Sequence, residues 1–274
     1  MKLSLLTTVL LTLLLRPAAA QPNCNFYPAG SAERAACALY LQALEFPQGS
    51  IQSQVYFDRV LDLCPTFAEA YHEKSVPFLK RGDFQTWKRL MDEAVRLQPA
   101  RFLGNRGWCR FKFLHDYDGA LTDLTRLRTL TPGQPGQSTD GSYDLRIVEA
   151  LCQRELGELR GALATFDACL ADNERQDRVG LYDYLHRGVT KLRLLDYAGA
   201  LRDFERQRGI NDKVAETYYY AALAHRQRHE PEAADRQLRQ ARELWQQHYR
   251  LNDPYVSMPD EISLSEIEAQ LARP

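Results

Sequence analysis

Six cysteines and six histidines are the side chains with the most chemistry to offer in this 274-residue chain. The cysteines are Cys24, Cys37, Cys64, Cys109, Cys152 and Cys169. None belongs to a CxxC pair, which argues against a zinc ribbon or a thioredoxin-like redox site. Cys37 and Cys64 fall near one end of the first expected helix pair, with Cys24 just upstream. A disulfide among these three is therefore expected, its two members left open because sequence does not fix connectivity. Cys152 and Cys169 share a later hairpin at heights differing by about six residues, roughly 9 Å along a helix. That exceeds the Cα separation of about 7 Å that a bridge tolerates. Together with Cys109 they read as buried free thiols that pack as small hydrophobes. His225 and His229 are four apart, a spacing that puts both on one helical face and could hold a metal. No glutamate completes an HExxH pattern and the pair falls at a helix end, so the two read as solvated and no metal is expected.

Other catalytic signatures are missing. There is no GxSxG, no P-loop and no GxGxxG. Asp92 and Glu93 are adjacent, so on a helix they point in different directions and make no acid–base dyad. Tyr218, Tyr219 and Tyr220 form an aromatic run that reads first as core packing and second as partner contact. No nucleophile–base set emerges, so no catalytic residue and no cofactor is assigned. Lys and Arg number 35 against 36 Asp and Glu, a net charge of -1. That balance, with no basic stripe beside the aromatics, gives no reason to expect nucleic acid as a partner.

The elements that must position these residues are helices. From Tyr182 to Gln207, Tyr184, Gly188 and Leu192 line one side of a first helix, and Ala200, Phe204 and Gln207 one side of a second. The break between them is Leu195-Asp196-Tyr197. Gly188 and Ala200 are small where a larger side chain would hold the two backbones apart. Similar pairs precede and follow. Ser31 caps a helix from Ala32 to Leu44, answered by Ile51 to Leu63 across a Pro47/Gly49 turn. A second pair spans Ala68–Pro99, with Pro77 inside its first helix and Trp87 on its second. A third spans Arg101–Pro132, with Gly107 as its small residue. Pro65, Pro99 and Pro132 end these three units at spacings of 34 and 33. A polar loop, residues 133–142, interrupts the register, and residues 171–180 make another polar connection. A fourth pair starts at Tyr143. The pair described first is the fifth. The sixth runs from Ala215 through Leu244, its last helix reaching about Tyr249. Ser265 and Glu268 predict a capped short helix in the tail.

This order of Tyr, Gly, Ala and Phe, with its proline period, resembles the tetratricopeptide repeat (TPR), a 34-residue two-helix unit. The resemblance covers about residues 32–249. Phrases such as Glu73-Lys74-Ser75-Val76-Pro77 and Arg106-Gly107-Trp108-Cys109 are similar to those of exported bacterial repeat proteins with no assigned activity. The fold implied is all-α: a right-handed superhelical solenoid of about six helix–turn–helix repeats with a C-terminal capping tail. The organisation expected is a signal peptide at 1–20, an irregular lead-in at 21–31, the solenoid at 32–250 and the tail at 251–274. Gly107 stands one place from the family's small position, and Trp87 stands where the family has alanine.

The first segment sets the compartment. Lys2, the apolar run Leu3–Leu15 and Ala18-Ala19-Ala20 read as a secretory signal cut before Gln21. The run is 13 residues, short of the ~20 that span a bilayer. An exported protein, periplasmic or secreted, with no membrane span after signal removal is expected. The family implies a non-enzymatic protein-binding scaffold that takes a peptide or protein segment on the concave face of its first helices. Carried over by position, that face comprises Glu69, His72, Val76, Phe102, Asn105, Cys109, Ile147, Leu151, Leu185, Val189, Tyr219, Leu223 and Arg226. It lacks the lysine and asparagine cluster by which some members clamp a carboxylate terminus. The tail or the 133–142 loop could fill it. A structural or self-associating module is the alternative, and an enzyme with a site at that loop or the tail is a third reading.

Overall fold

Side-chain caps open several of the helices. The computed structural model describes residues 22–134 and 136–273; the expected signal segment lies outside them. Among the described residues there are thirteen α-helices, a 3-10 turn at Cys24–Phe26, a π turn at Arg110–Leu114, and one isolated bridge between Gln137 and Asp144 in place of any strand. The chain divides into two compact units, residues 1–90 and 91–274.

The first unit holds α1 (Ala32–Glu45), α2 (Ile51–Leu63), α3 (Ala68–Lys80) and the start of α4 (Phe84–Leu97). The hydroxyls of Ser31 and Ser50 cap α1 and α2 by accepting from the amides of Arg34 and Ser53. Each such cap satisfies an amide that the helix itself leaves orphaned. Tyr40 packs its ring against Phe57 and Phe67, at centroid distances of 5.9 and 5.2 Å. The disulfide joins Cys24 to Cys37, with Cα atoms 5.5 Å apart, and ties the lead-in to α1. Cys64 stays a free, buried thiol. Pro77 remains inside α3 and is buried. Gly49 answers it across the turn: its φ is +81°, and a Cβ there would sit 2.8 Å from the proline Cβ. Both the left-handed backbone and the crowding demand glycine. Trp87 is also buried, 1 % exposed, so the large residue in the alanine position is absorbed into the core.

The second unit stacks four hairpins: α5 (Pro99–Cys109) with α6 (Tyr117–Leu130), α7 (Leu145–Glu155) with α8 (Leu159–Arg175), α9 (Asp183–Arg193) with α10 (Tyr197–Ile210), and α11 (Ala215–Gln227) with α12 (Pro231–Gln246). Each second helix also packs on the first helix of the next pair. A lone hairpin cannot bury its apolar face, so the stack is the folding unit. Two boundaries differ from expectation. The stretch 171–175 belongs to α8, because Asn173 is buried and its amide donates towards Asp144. The last hairpin ends at Gln246, and His248 turns left-handed with φ 65°.

Two hairpins carry the same clamp. In α9–α10, Arg187 grips Asp203 with two hydrogen bonds of 2.8 and 2.6 Å, and its third nitrogen reaches Asp167 of α8 at 2.9 Å. Next to it, Gly188 lies so close to Phe204 that a Cβ would come within 2.5 Å of the ring. In α5–α6, Arg106 grips Asp123 at 2.8 and 2.6 Å and reaches Asp92 of α4 at 2.7 Å, while Gly107 packs on Leu124. An Arg-Gly pair on the first helix thus meets Asp-Phe or Asp-Leu on the second. Sixteen residues separate Gly188 from Phe204, but seventeen separate Gly107 from Leu124. The π turn after α5 takes up the extra residue, which is what such a turn does inside a helix. Both second helices then start from the same cap, Asp116 accepting from the Gly119 amide and Asp196 from the Gly199 amide.

Past α12 the chain runs as an irregular strap to α13 (Leu264–Leu271). The capping box that opens α13 is Ser263 with Glu266, two residues before the expected Ser265/Glu268 pair. Ser265 fits the same pattern by spacing, but the Ser263 hydroxyl accepts from the Glu266 amide, so the helix starts there, and Ile267 is buried.

Candidate partner-binding groove

The tail touches the first helix of all four hairpins in the second unit or the turn that continues it. Leu251 donates its amide to the Glu216 carboxylate at 3.0 Å, in the first turn of α11. Asp253 pairs with Lys112 at 2.7 Å, on the π turn that follows α5. Asp260 meets Arg154 of α7 at 2.9 Å and His186 of α9 at 2.6 Å. Ile262 accepts the indole N–H of Trp245 through its carbonyl, and Ile267 lies in the core formed with Tyr219, Ala222 and Leu238. Gln270 accepts from Arg226 through its side chain at 2.9 Å and its carbonyl at 2.5 Å.

The Asp260 pocket is the driest of these contacts. The side chains of Arg154 and His186 are 0 % exposed and that of Asp260 is 1 %. Burial by itself would push the Asp260 carboxyl up; Arg154 and His186 outweigh it and hold the group at about 2. Tyr143 completes the pocket, its hydroxyl 3.2 Å from His186 Nε2. Burial drives that phenol well above its ordinary range, so it keeps its proton. The imidazole thus bridges the two, Nδ1 facing the Asp260 carboxylate and Nε2 the Tyr143 hydroxyl. Two polar atoms remain without partners there, Arg154 Nη2 and Asp260 Oδ1.

The Lys112 anchor is built differently. Its ammonium lies over the rings of Trp108 and Phe113, 5.3 and 5.6 Å from their centres. It shares two carboxylates, Asp253 of the tail and Asp140 of the inserted loop at 3.1 Å. For Asp140, burial would raise the carboxyl, but the Ser142 and Ser138 hydroxyls, the Ser142 amide and Lys112 bring it down to about 2. Glu216 goes the other way. Burial lifts it to about 7 against the amides that reach it, and its Oε1 has no partner.

The positions carried over from the family fall into three groups. In the first unit, on α3, Glu69 is buried while His72 and Val76 are half-buried. In the second unit, Phe102, Cys109, Ile147, Leu151, Leu185, Val189 and Tyr219 are buried. Leu185 and Val189 share a core with Leu251 of the tail, and Tyr219 shares one with Ile262 and Ile267. The Cys109 thiol is pushed up to about 12 by burial. Asn105 donates to Thr139 of the inserted loop at 2.8 Å. Leu223 and Arg226 stay half-buried and line a cavity of about 290 Å³ with Leu192, Tyr197 and Gln270. Sequence reasoning missed Lys112, Tyr143, Arg154, His186 and Glu216. The one available hint was the tail's charge, five acidic residues against a single arginine from Leu251 onward.

The histidine pair is surface chemistry, since His225 Nδ1 contacts the Glu230 carboxylate at 2.6 Å and His229 is exposed. Cys152 and Cys169 are free and buried, with burial raising both thiols far above their ordinary range. Among the described residues no group of three or more His, Cys, Asp or Glu gathers as a metal site would require, and no helix is long and apolar enough to cross a membrane.

No protein-family model and no curated protein matches the chain. Solved structures do. PilF of Pseudomonas aeruginosa superposes with a TM-score of 0.60 at 16% identity, covering 87% of this chain and 99% of that one. PilW, a type IV pilus biogenesis factor, gives 0.59 at 14% identity over 77% and 94%. A fragment of MamA from Desulfovibrio magneticus gives 0.57 at 15% identity over 66% and 96%.

Proposed function

We propose that this chain, which has the tetratricopeptide-repeat fold, is a non-enzymatic protein-binding scaffold that holds a peptide or protein segment on its first-helix face. The observation that carries the reading is the tail itself. The irregular strap after α12 lies against all four hairpins of the second unit, gripped by side chains from each. A surface that already orders one such segment has the geometry to order another. The buried polar groups do not read as catalytic, because Asp260 takes Arg154 and His186, Tyr143 meets His186, and Glu155 takes the Arg154 Nε.

The setting proposed is the cell envelope or the exterior. The Cys24–Cys37 bond supports it, since disulfides persist in oxidising compartments. So does the signal-like segment at 1–20. The likeness to PilF and PilW speaks for fold alone.

Affinity capture from the organism's own envelope extract tests the role. Wild type is compared with Leu223→Ala and Arg226→Ala, whose side chains line the half-open cavity beside the tail. A protein captured by wild type and lost with either variant is the expected result. Equal capture by all three removes this surface. Gel filtration addresses the alternative of a self-assembling module: a dimer or ring that forms without any partner would favour it.

A further inference from the structure

We propose that the groove of the second unit is a receptor for an extended acidic segment of a partner protein, and that the tail is the internal occupant such a segment displaces. This rests on the scaffold reading above and adds the chemistry of the partner. The recognition elements are spaced along the tail. Asp253 binds Lys112, Asp260 follows seven residues later and binds Arg154 with His186, and Ile262 enters the core two residues after that. A partner segment that fits carries two carboxylates seven apart and an aliphatic residue just beyond the second.

Charge complementarity selects an acidic partner. The groove meets the tail's carboxylates with Lys112, Arg154 and His186, in a tail where acids outnumber bases five to one. The site reads an aspartate side chain within a chain, since Asp260 lies 14 residues before the C-terminus. Two features make the occupant replaceable. The fit is incomplete, with Arg154 Nη2, Asp260 Oδ1 and Glu216 Oε1 all buried and unpartnered. Unsatisfied buried groups cost free energy, which a better-matched segment recovers. Between the two aspartates the strap is held loosely, with Tyr255 82 % exposed. Tethering keeps the tail at high effective concentration, so an outside segment competes only when its own carboxylates engage.

The test is peptide exchange on the folded protein. The probe is a fluorescent peptide copying residues 250–272, with a second version carrying Asp253→Asn and Asp260→Asn. The receptors are wild type and a protein with the same two substitutions in its own tail, checked for helicity by circular dichroism. If the substituted protein unfolds, a protease site placed after Tyr255 and cut in the native protein supplies a second receptor with an exchangeable tail. The acidic peptide should bind the weakened or cut receptor at least about tenfold more tightly than it binds wild type, and the Asn peptide should lose about tenfold. Equal binding of both peptides overturns the acidic partner and leaves the scaffold reading standing. No binding of either peptide to a folded, weakened or cut receptor overturns the replaceable tail. Wild-type dimers that exchange tails and exclude the peptide would put a second copy in the partner's place, and so overturn the proposal too.

Discussion

The hairpins α5–α6 and α9–α10 share one clamp and hold the tail by opposite means. Arg106 on Asp123 and Arg187 on Asp203 are the same device, down to the reach back to an acid on the preceding helix. The extra residue in the first hairpin becomes a π turn, and that turn carries Lys112. The second hairpin has no such turn and presents His186 from the first turn of α9. Lys112 has two carboxylates to share, so the loss of one leaves the other. His186 and Arg154 converge on a single oxygen of Asp260, and nothing else replaces it for the imidazole. Arg154 keeps Glu155 at 2.9 Å, so the imidazole is the group with no substitute.

Substitutions should expose that contrast. Asp260→Ala removes the one carboxylate on the buried His186 imidazole and one of the two on the buried Arg154, which keeps Glu155, and should cost about 3–5 kcal/mol in urea denaturation, the range for breaking a buried ion pair. A loss under about 1 kcal/mol would mean the two anchors are equivalent. Gly188→Ala comes next. Its new methyl meets the Phe204 ring at 2.5 Å, and overpacking of this kind costs about 1–3 kcal/mol. Gly107→Ala should cost less, because its nearest neighbour is a leucine methyl at 3.0 Å that can rotate away. Thermal melts of the two variants side by side would show whether the π turn has loosened its hairpin. Asp253→Asn should cost no more than about 1 kcal/mol, because Asp140 still holds Lys112.

The dependence on pH tests the same contacts without a substitution. Glu216 is raised from 4.5 to about 7. The folded state thus favours its protonated form, so its share of stability is complete below about 4.5 and is lost as pH rises through 7. Asp260 is held down at about 2 from 3.8, so its share is present above 3.8 and is lost as pH falls towards 2. Tail-dependent stability should therefore be greatest in mild acid. Urea midpoints at pH 5 and pH 8 measure the upper side, and Glu216→Gln should flatten it. An unchanged slope in that variant would assign the effect elsewhere.

Much of the stack is legible in the residues because helix pairs announce themselves through small residues and caps. Gly188 and Ala200 were readable as the small residues of a crossing, but that Phe204 is the side chain lying on Gly188 is seen only in the structure. Gly107 looked misplaced by one residue, and the cause lay in a backbone device that leaves no composition signal. The Asp260 pocket was not legible. It brings together residues 143, 154, 186 and 260, which no local period relates. Ser263 and Ser265 offer near-equal capping patterns, each with a glutamate three residues on, and the spacing alone does not separate them.

The distribution of thiols bears on how the chain matures. Short-range helical hairpins form in microseconds to milliseconds, whereas thiol oxidation takes seconds to hours. Cys109, Cys152 and Cys169 are thus withdrawn into hairpins, far from their thiolate forms, before an oxidant arrives. Mispairing is left to three sulfurs near the N-terminus. Burial of Cys64 beneath Phe67 and Tyr40 narrows that contest to the one productive couple.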